Sequence, residues 1–282
     1  MGKKDKKKGR GIEKTAVKTE KKMTAKQKKQ LAAIGEEDIE KIIAEIEQEE
    51  RKRLQVKEWT IVKPGKRSNF TFCAHPIKDE LLLFGGEYFN GQKTVVYNDL
   101  MFYNINKNEW TVVQAPSPPP PRSGHQMVAL AKDKGQLWVF GGEFTSTTQN
   151  QFHHYKDLWV FHMGEKKWEK VMSPNGPSPR SGHRMVVNKN SLIVFGGYHD
   201  NLRQYKYFND VYAFDLENYK WSKLETTGTP PAPRSGCQMV SLPDGKILIQ
   251  GGYSKEMVKK MLIKELYTQM HFSSSLKVSL KQ

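Results

Sequence analysis

The chain has 282 residues, 37% hydrophobic and 11% aromatic, which is enough apolar material for a real core in one large or two small domains. Its formal net charge is +16. No apolar run approaches the roughly 20 residues that cross a bilayer, and the lysine-rich start lacks a hydrophobic signal region, so membrane insertion and secretion are not expected.

Cys73 and Cys237 give neither a disulfide framework nor metal-ligand spacing. The expected setting is therefore intracellular and reducing, cytoplasmic and/or nuclear. The charge is unevenly placed. Residues 1–30 hold thirteen Lys/Arg against Asp5, Glu13 and Glu20, whereas residues 31–50 hold Lys41 against eight acids. A segment so charged and so poor in apolar groups cannot order itself, and residues 1–35 read as a disordered Lys-rich tail. The plain reading is a solvated tail. The functional readings are a localisation signal or a nonspecific grip of residues 1–30 on RNA or another polyanion. The tail has no aromatic residue before Trp59, so base stacking is not part of that grip.

Residues 36–55 read as a short amphipathic helix. Ile39, Ile42, Ile43 and Ile46 fall at i, i+3, i+4 and i+7, one apolar stripe. Acids at Glu36, Glu37 and Asp38 and bases at Arg51, Lys52 and Arg53 suit the two ends of the helix dipole.

From residue 56 the chain repeats itself. An apolar run ending in a glycine pair occurs four times, at Gly85-Gly86, Gly141-Gly142, Gly196-Gly197 and Gly251-Gly252, with first glycines 56, 55 and 55 residues apart. After each of the first three pairs comes Asn98-Asp99, Lys156-Asp157 or Asn209-Asp210. Eleven residues past each Asp stands a tryptophan: Trp110, Trp168 and Trp221. Then comes Arg122-Ser123-Gly124-His125, Arg180-Ser181-Gly182-His183 or Arg234-Ser235-Gly236-Cys237, with Arg67-Ser68-Asn69-Phe70 as the first copy. A fixed period of this length signals a repeat architecture.

Each unit reads as four short strands. In the second, Ser123–Leu130 is the first strand, Gln136–Phe140 an apolar and doubly buried second, Asp157–Phe161 the third and Lys167–Val171 the fourth, with residues 162–166 closing a hairpin. One such sheet cannot cover both of its faces. Stacking radially against the next sheet covers them. The glycines permit close approach at a strand end, the tryptophans fill the gap between sheets, and Arg122, Arg180 and Arg234 can hydrogen-bond loop carbonyls.

This set of landmarks resembles the kelch repeat, over roughly Lys66 to Tyr253. The resemblance implies an all-β propeller of about six blades, no established enzyme activity, and protein partners bound through the loops of one face. The expected organisation is three full blades (66–121, 122–179, 180–233), a partial fourth (234–253), and a divergent C-terminal tail (254–282) in which Lys255–Lys264 reads as helix-like. Leu276 stands where a tryptophan is due. The ending reads as a substituted C-terminus, that of a shortened or alternative form.

An incomplete propeller leaves open edges and an apolar sheet face, and with them a route to self-association. Glu58-Trp59-Thr60 matches Glu109-Trp110-Thr111, so the strand near Trp59 is a candidate for the missing outer strand of the last blade. The favoured reading remains an open arc. No cofactor or metal is expected: His153-His154 is the one adjacent His pair, and neighbours in a strand point apart. The best binding surface is the set of loops between each Gly-Gly and the following Asp, carrying Tyr88, Phe89, Phe144, Phe152, Tyr155, Tyr205 and Tyr207, because aromatics are enriched in interfaces. The plainer reading has several of these packing inward.

Overall fold

A computed structural model describes residues 41–49, 55–200, 205–259, 262–267 and 275–276. Two compact units divide at Gln55/Val56. In the first, residues 41–49 are helical, inside the 36–55 span expected for the helix; Ile43 and Ile46 are about half exposed, at 49% and 52%. The basic tail and Ile39 lie outside the described residues.

The second unit is an incomplete propeller. Blade two is a four-stranded antiparallel sheet of Gln126–Leu130, Gln136–Phe140, Leu158–His162 and Lys167–Val171. Blade three repeats it with Arg184–Asn188, Ser191–Phe195, Val211–Asp215 and Lys220–Leu224. The second strand of each is apolar because it lies mid-sheet with neighbours over both faces. All five residues of Gln136–Phe140 are buried, and Gln136 is tolerated because its Oε1 accepts from Trp138 Nε1 at 3.0 Å. The first strands of all four blades stand side by side, Thr71–Ala74, Gln126–Leu130, Arg184–Asn188 and Gln238–Ser241.

Blade one has five strands. To Thr71–Ala74, Glu80–Phe84, Leu100–Asn104 and Glu109–Gln114 it adds Lys57–Ile61, antiparallel to Glu109–Gln114 with Trp59 opposite Val112. The Trp59 strand therefore caps the outer edge of the first blade rather than the last. An unpaired edge is satisfied by the chain's own upstream segment, and among the described residues no strand of blade one pairs with a strand of blade four. In blade four, Gln238–Ser241 pairs with Ile247–Gln250, and Ser275–Leu276 pairs in turn with Ile247 and Leu248.

The helix-like reading of Lys255–Lys264 does not hold. Tyr253–Lys259 and Leu262–Tyr267 form an antiparallel hairpin. Position in the repeat overrides the local helix preference of its Lys, Glu, Met and Leu residues: each earlier glycine pair is also followed by a hairpin, and Tyr253 makes the same bridge to Ser235 that Tyr198 makes to Ser181.

The core is a series of seams between sheets. Leu82, Phe84 and Leu100 of blade one meet Met127, Leu137, Val139, Phe161 and Trp168 of blade two. Trp138, Phe140 and Val160 then meet Leu192, Val194, Phe214 and Trp221 of blade three. Ile193, Phe195 and Val211 meet Cys237, Ile247 and Ile249 of blade four. The repeated tryptophans wedge these seams: Trp168 lies 5.3 Å from Phe84 of the preceding blade, and Trp221 lies 5.3 Å from Phe140. No helix among the described residues is long and apolar enough to cross a membrane.

Candidate functional site

The residues at the Gly-Gly end of each blade build a clasp. Arg122 is fully buried; its Nη1 donates to the Gly141 carbonyl at 2.9 Å and to Asp157 Oδ1 at 2.8 Å, and its Nη2 donates to Asp157 Oδ2 at 3.1 Å. Arg180 does the same with Gly196 and Asp210, and Arg67 with Gly85 and Asp99. Arg234 donates to the Gly251 carbonyl at 2.8 Å. A two-point guanidinium–carboxylate contact is among the stronger polar pairings. Burial alone would raise the Asp157 carboxyl, but the Arg122 guanidinium and the Trp159 indole N–H outweigh it and hold the group below the usual carboxylate range.

An aromatic ring floors three of these four guanidinium groups, and the sequence reading missed it. Arg67, Arg122 and Arg180 lie 4.1, 4.3 and 4.0 Å from the ring centres of Tyr97, Tyr155 and Phe208. The signal was present as aromatic-X-Asp, in Tyr97-Asn98-Asp99, Tyr155-Lys156-Asp157 and Phe208-Asn209-Asp210. Tyr155, placed among the partner-binding aromatics by sequence, is thus part of the clasp, and its hydroxyl donates to the Pro121 carbonyl at 3.2 Å.

The clasp also stitches blades together. The Gly86, Gly142 and Gly197 amides donate to the carbonyls of Arg122, Arg180 and Arg234 in the next blade. In return the Arg122, Arg180 and Arg234 amides donate to the carbonyls of Tyr97, Tyr155 and Phe208. Gly141 sits so close to the next blade that a Cβ there would lie 2.7 Å from His183 Cε1 and 2.8 Å from the Arg180 carbonyl oxygen, at φ +64°. His125 and His183 fill the same repeat position, fully enclosed, each edge-on to a phenylalanine of the preceding blade, Phe84 and Phe140. Burial, then the charge of Arg122, pushes His125 down to about 3; burial and Arg180 push His183 far below its ordinary range. Both are packing groups.

From the clasps rise the hairpins: Glu87–Phe89 with Thr94–Val96, Glu143–Thr145 with Phe152–His154, and Tyr198–Asp200 with Tyr205–Tyr207. They hydrogen-bond within themselves and form two-stranded sheets distinct from the blades. Cross-links join them into one crest. Thr94 N donates to Thr147 O at 3.0 Å, Asp200 N donates to His154 Nε2 at 3.1 Å, and the Tyr207 and Tyr253 rings lie 6.3 Å apart.

A buried polar relay supports the crest at its centre. Because His154 Nε2 accepts a backbone N–H, the neutral ring carries its proton on Nδ1 and donates to Ser181 Oγ at 3.2 Å. Ser181 Oγ donates to Glu143 Oε2 at 2.9 Å, and Tyr198 OH donates to the same carboxylate. Burial first, with His199 nearby, lowers His154 to about 4; burial raises Glu143. Ser181 is 1% exposed, so the relay holds two hairpins together and offers no nucleophile to solvent. His153 points away from His154 to the surface, and no group of three or more metal-ligating side chains occurs among the described residues.

Of the seven loop aromatics, Phe89, Phe152 and Tyr205 are exposed, at 50%, 43% and 47%. Tyr88, Phe144 and Tyr207 are half-buried in the hairpin stems. The crest thus presents aromatic tips on a braced base. A concavity of about 450 Å³ lies where the first strands meet, lined by Asn69, Gln126, Arg184 and Gln238 among others.

Comparison with known proteins agrees with this architecture. The family model described as FBX42, beta-propeller domain, matches residues 67–270. The chain is 32% identical over 215 residues to Adagio protein 3 of Arabidopsis thaliana, covering 74% of this chain and 32% of that protein. It is 28% identical over 177 residues to Tip elongation aberrant protein 3 of Schizosaccharomyces pombe, covering 53% and 15%. It is 27% identical over 184 residues to putative protein tag-53 of Caenorhabditis elegans, covering 60% and 13%. The chain spans less than a third of the length of each of these relatives.

Proposed function

This chain belongs to the kelch-repeat β-propeller family, and from that premise we propose that it is a non-enzymatic protein-interaction module whose contact surface is the crest of Gly-Gly hairpins. The observation that carries this reading is the contrast within each hairpin. The stems are tied down by the Glu143–Ser181–His154 relay and by inter-hairpin hydrogen bonds, while the tips expose Phe89, Phe152 and Tyr205. Large apolar rings held out on a rigid base lose little conformational entropy on binding, and such rings are what interface hot spots concentrate. Kelch propellers are generally interaction domains, which favours binding over catalysis.

The test is affinity capture with the native chain beside a Phe89→Ser/Phe152→Ser/Tyr205→Ser variant. Loss of specific partners, with the melting curve unchanged, supports the crest; retention of every partner sinks it. A second reading rests on the thirteen basic residues of the first thirty, which suit an RNA- or ribosome-associated factor held by its tail. Deleting residues 1–30 and adding nuclease separates the two. Partners that vanish with either treatment belong to the tail, and partners that vanish only with the crest variant belong to the propeller.

A further inference from the structure

At the clasp end the seams are built alike. At the turn end, the opposite end of the strands from the crest, the first two seams differ. Between blades two and three, Leu130 and Trp138 pack in one apolar cluster with Tyr219, and the Trp138 and Tyr219 rings lie 5.8 Å apart. The same repeat positions between blades one and two hold His75, Leu82 and Lys166. A cavity of about 460 Å³ opens there, within the size range of small-molecule sites. Both of its walls belong to complete four-strand blades, so the space is a property of this one seam.

The floor of the cavity is apolar, made by Phe102, Val113 and Met163. Its polar groups are mostly donors that lack an acceptor. His75 is 7% exposed, and its Nδ1 accepts from the Ile77 and Lys78 amides, each at 3.1 Å. The neutral ring therefore carries its proton on Nε2, and that N–H has no acceptor among the described residues. Burial, with Lys78 beside it, outweighs Glu80 and lowers His75 below its ordinary range, so at neutral pH the ring is an uncharged donor. Lys78 and Lys134 are exposed residues at the rim, and their ammonium groups likewise have no partner among the described residues. Lys134 is held there in left-handed backbone at φ +65°, after Asp133 at φ +49°, a conformation rare outside glycine. Its turn is tied to the other wall turn of blade two, since Met163 N donates to Gly135 O at 2.9 Å. The third lysine, Lys166, is already matched by Glu58 Oε1 at 2.5 Å.

We propose that this cavity binds a small carboxylate with an apolar body, its head group accepting from the His75 Nε2–H, Lys78 and Lys134 and its body lying on Phe102, Val113 and Met163. A buried N–H without an acceptor is costly, and a ligand oxygen removes that cost. Two ammonium groups add charge-assisted bonds. The lining holds three lysines against the two carboxylates Glu58 and Glu80, a balance of one positive charge with His75 neutral. That balance suits a single negative charge. A doubly charged phosphate ester would place its second charge beside Glu80 with no free lysine left to match it. The bound molecule would touch blades one and two together, so it should stabilise the seam it occupies.

The test is isothermal titration calorimetry of the full chain with sodium octanoate and sodium hydrocinnamate, beside octanol, octylamine and octyl phosphate. At least one of the two carboxylates should bind saturably, one molecule per chain, and raise the melting temperature. Octanol and octylamine should bind about tenfold more weakly or worse, and octyl phosphate no more tightly than octanoate. At saturation the His75 Nε2 resonance should shift in a nitrogen–proton correlation spectrum of the native chain. Lys78→Ala/Lys134→Ala should weaken the carboxylate by about tenfold or more, with the melting curve of the free protein unchanged because both side chains are exposed. Should that variant misfold, the His75 shift in the native chain decides. No saturable binding of either carboxylate overturns the proposal. So does octanol binding as tightly as octanoate, octyl phosphate binding more tightly, or a His75 resonance that stays in place at saturation.

Discussion

The clasp and the crest sit one above the other on every blade, yet they are written under opposite rules. Clasp positions hold Arg67, Arg122, Arg180 and Arg234, with the same glycine doublets each time. The hairpins hold Tyr88, Phe144 and His199 at one position and Phe89, Thr145 and Asp200 at the next. A position that touches the neighbouring blade has one solution, because every seam has the same geometry. A hairpin tip that touches solvent or a partner has no such constraint. Repetition therefore marks what holds the fold, and variation between repeats marks where individuality is placed.

That contrast breaks most visibly at Asp157. Replacing it with Ala leaves the buried Arg122 guanidinium without its carboxylate, and removing one partner of a buried pair costs about 3–5 kcal/mol; chemical denaturation should show it. Gly141→Ala should come next. The added Cβ enters the left-handed region and presses on the Arg180 carbonyl and the His183 ring, which together cost about 2–4 kcal/mol in the same measurement.

Acid should act on the seams before the tips. His125 titrates at about 3 when folded against an ordinary value of 6.5. A base whose folded value is lowered lends its full stability above 6.5, and that stability drains as pH falls from 6.5 toward 3. The slope is about 1.4 kcal/mol per pH unit for each such histidine. Melting curves across that window should show the fall, and His125→Asn should flatten part of it. The smallest effect belongs to the crest: Phe89→Ser, Phe152→Ser and Tyr205→Ser should each change stability by only about 0.5 kcal/mol. A crest variant that melted as early as Asp157→Ala would erase the distinction.

Much of the frame was legible in the linear text. The glycine doublets and Trp168 and Trp221 recur at fixed spacing, and each does in space what its chemistry suggests. The Arg122–Asp157 pairing was not legible, because the partners lie 35 residues apart and nothing local couples them. The clasp role of Tyr155 was hidden for a related reason. It looks like one more loop aromatic until the guanidinium above it is seen. Lys255–Lys264 misled because its composition favours a helix in isolation, whereas its place after Gly251-Gly252 sets a hairpin. The exposed tips were legible only as a class, since Phe89 and Phe144 differ in burial through their strand registers, not their surroundings in sequence.

The file of single hydrogen bonds from Gly236 to Gly182 to Gly124 to Asn69 has a mechanical consequence. Each link joins adjacent blades only, so tension applied between the first and last blades loads the links in series. Such a molecule should yield one sheet at a time from an end, showing a sawtooth of similar steps under an optical trap in place of one abrupt rupture.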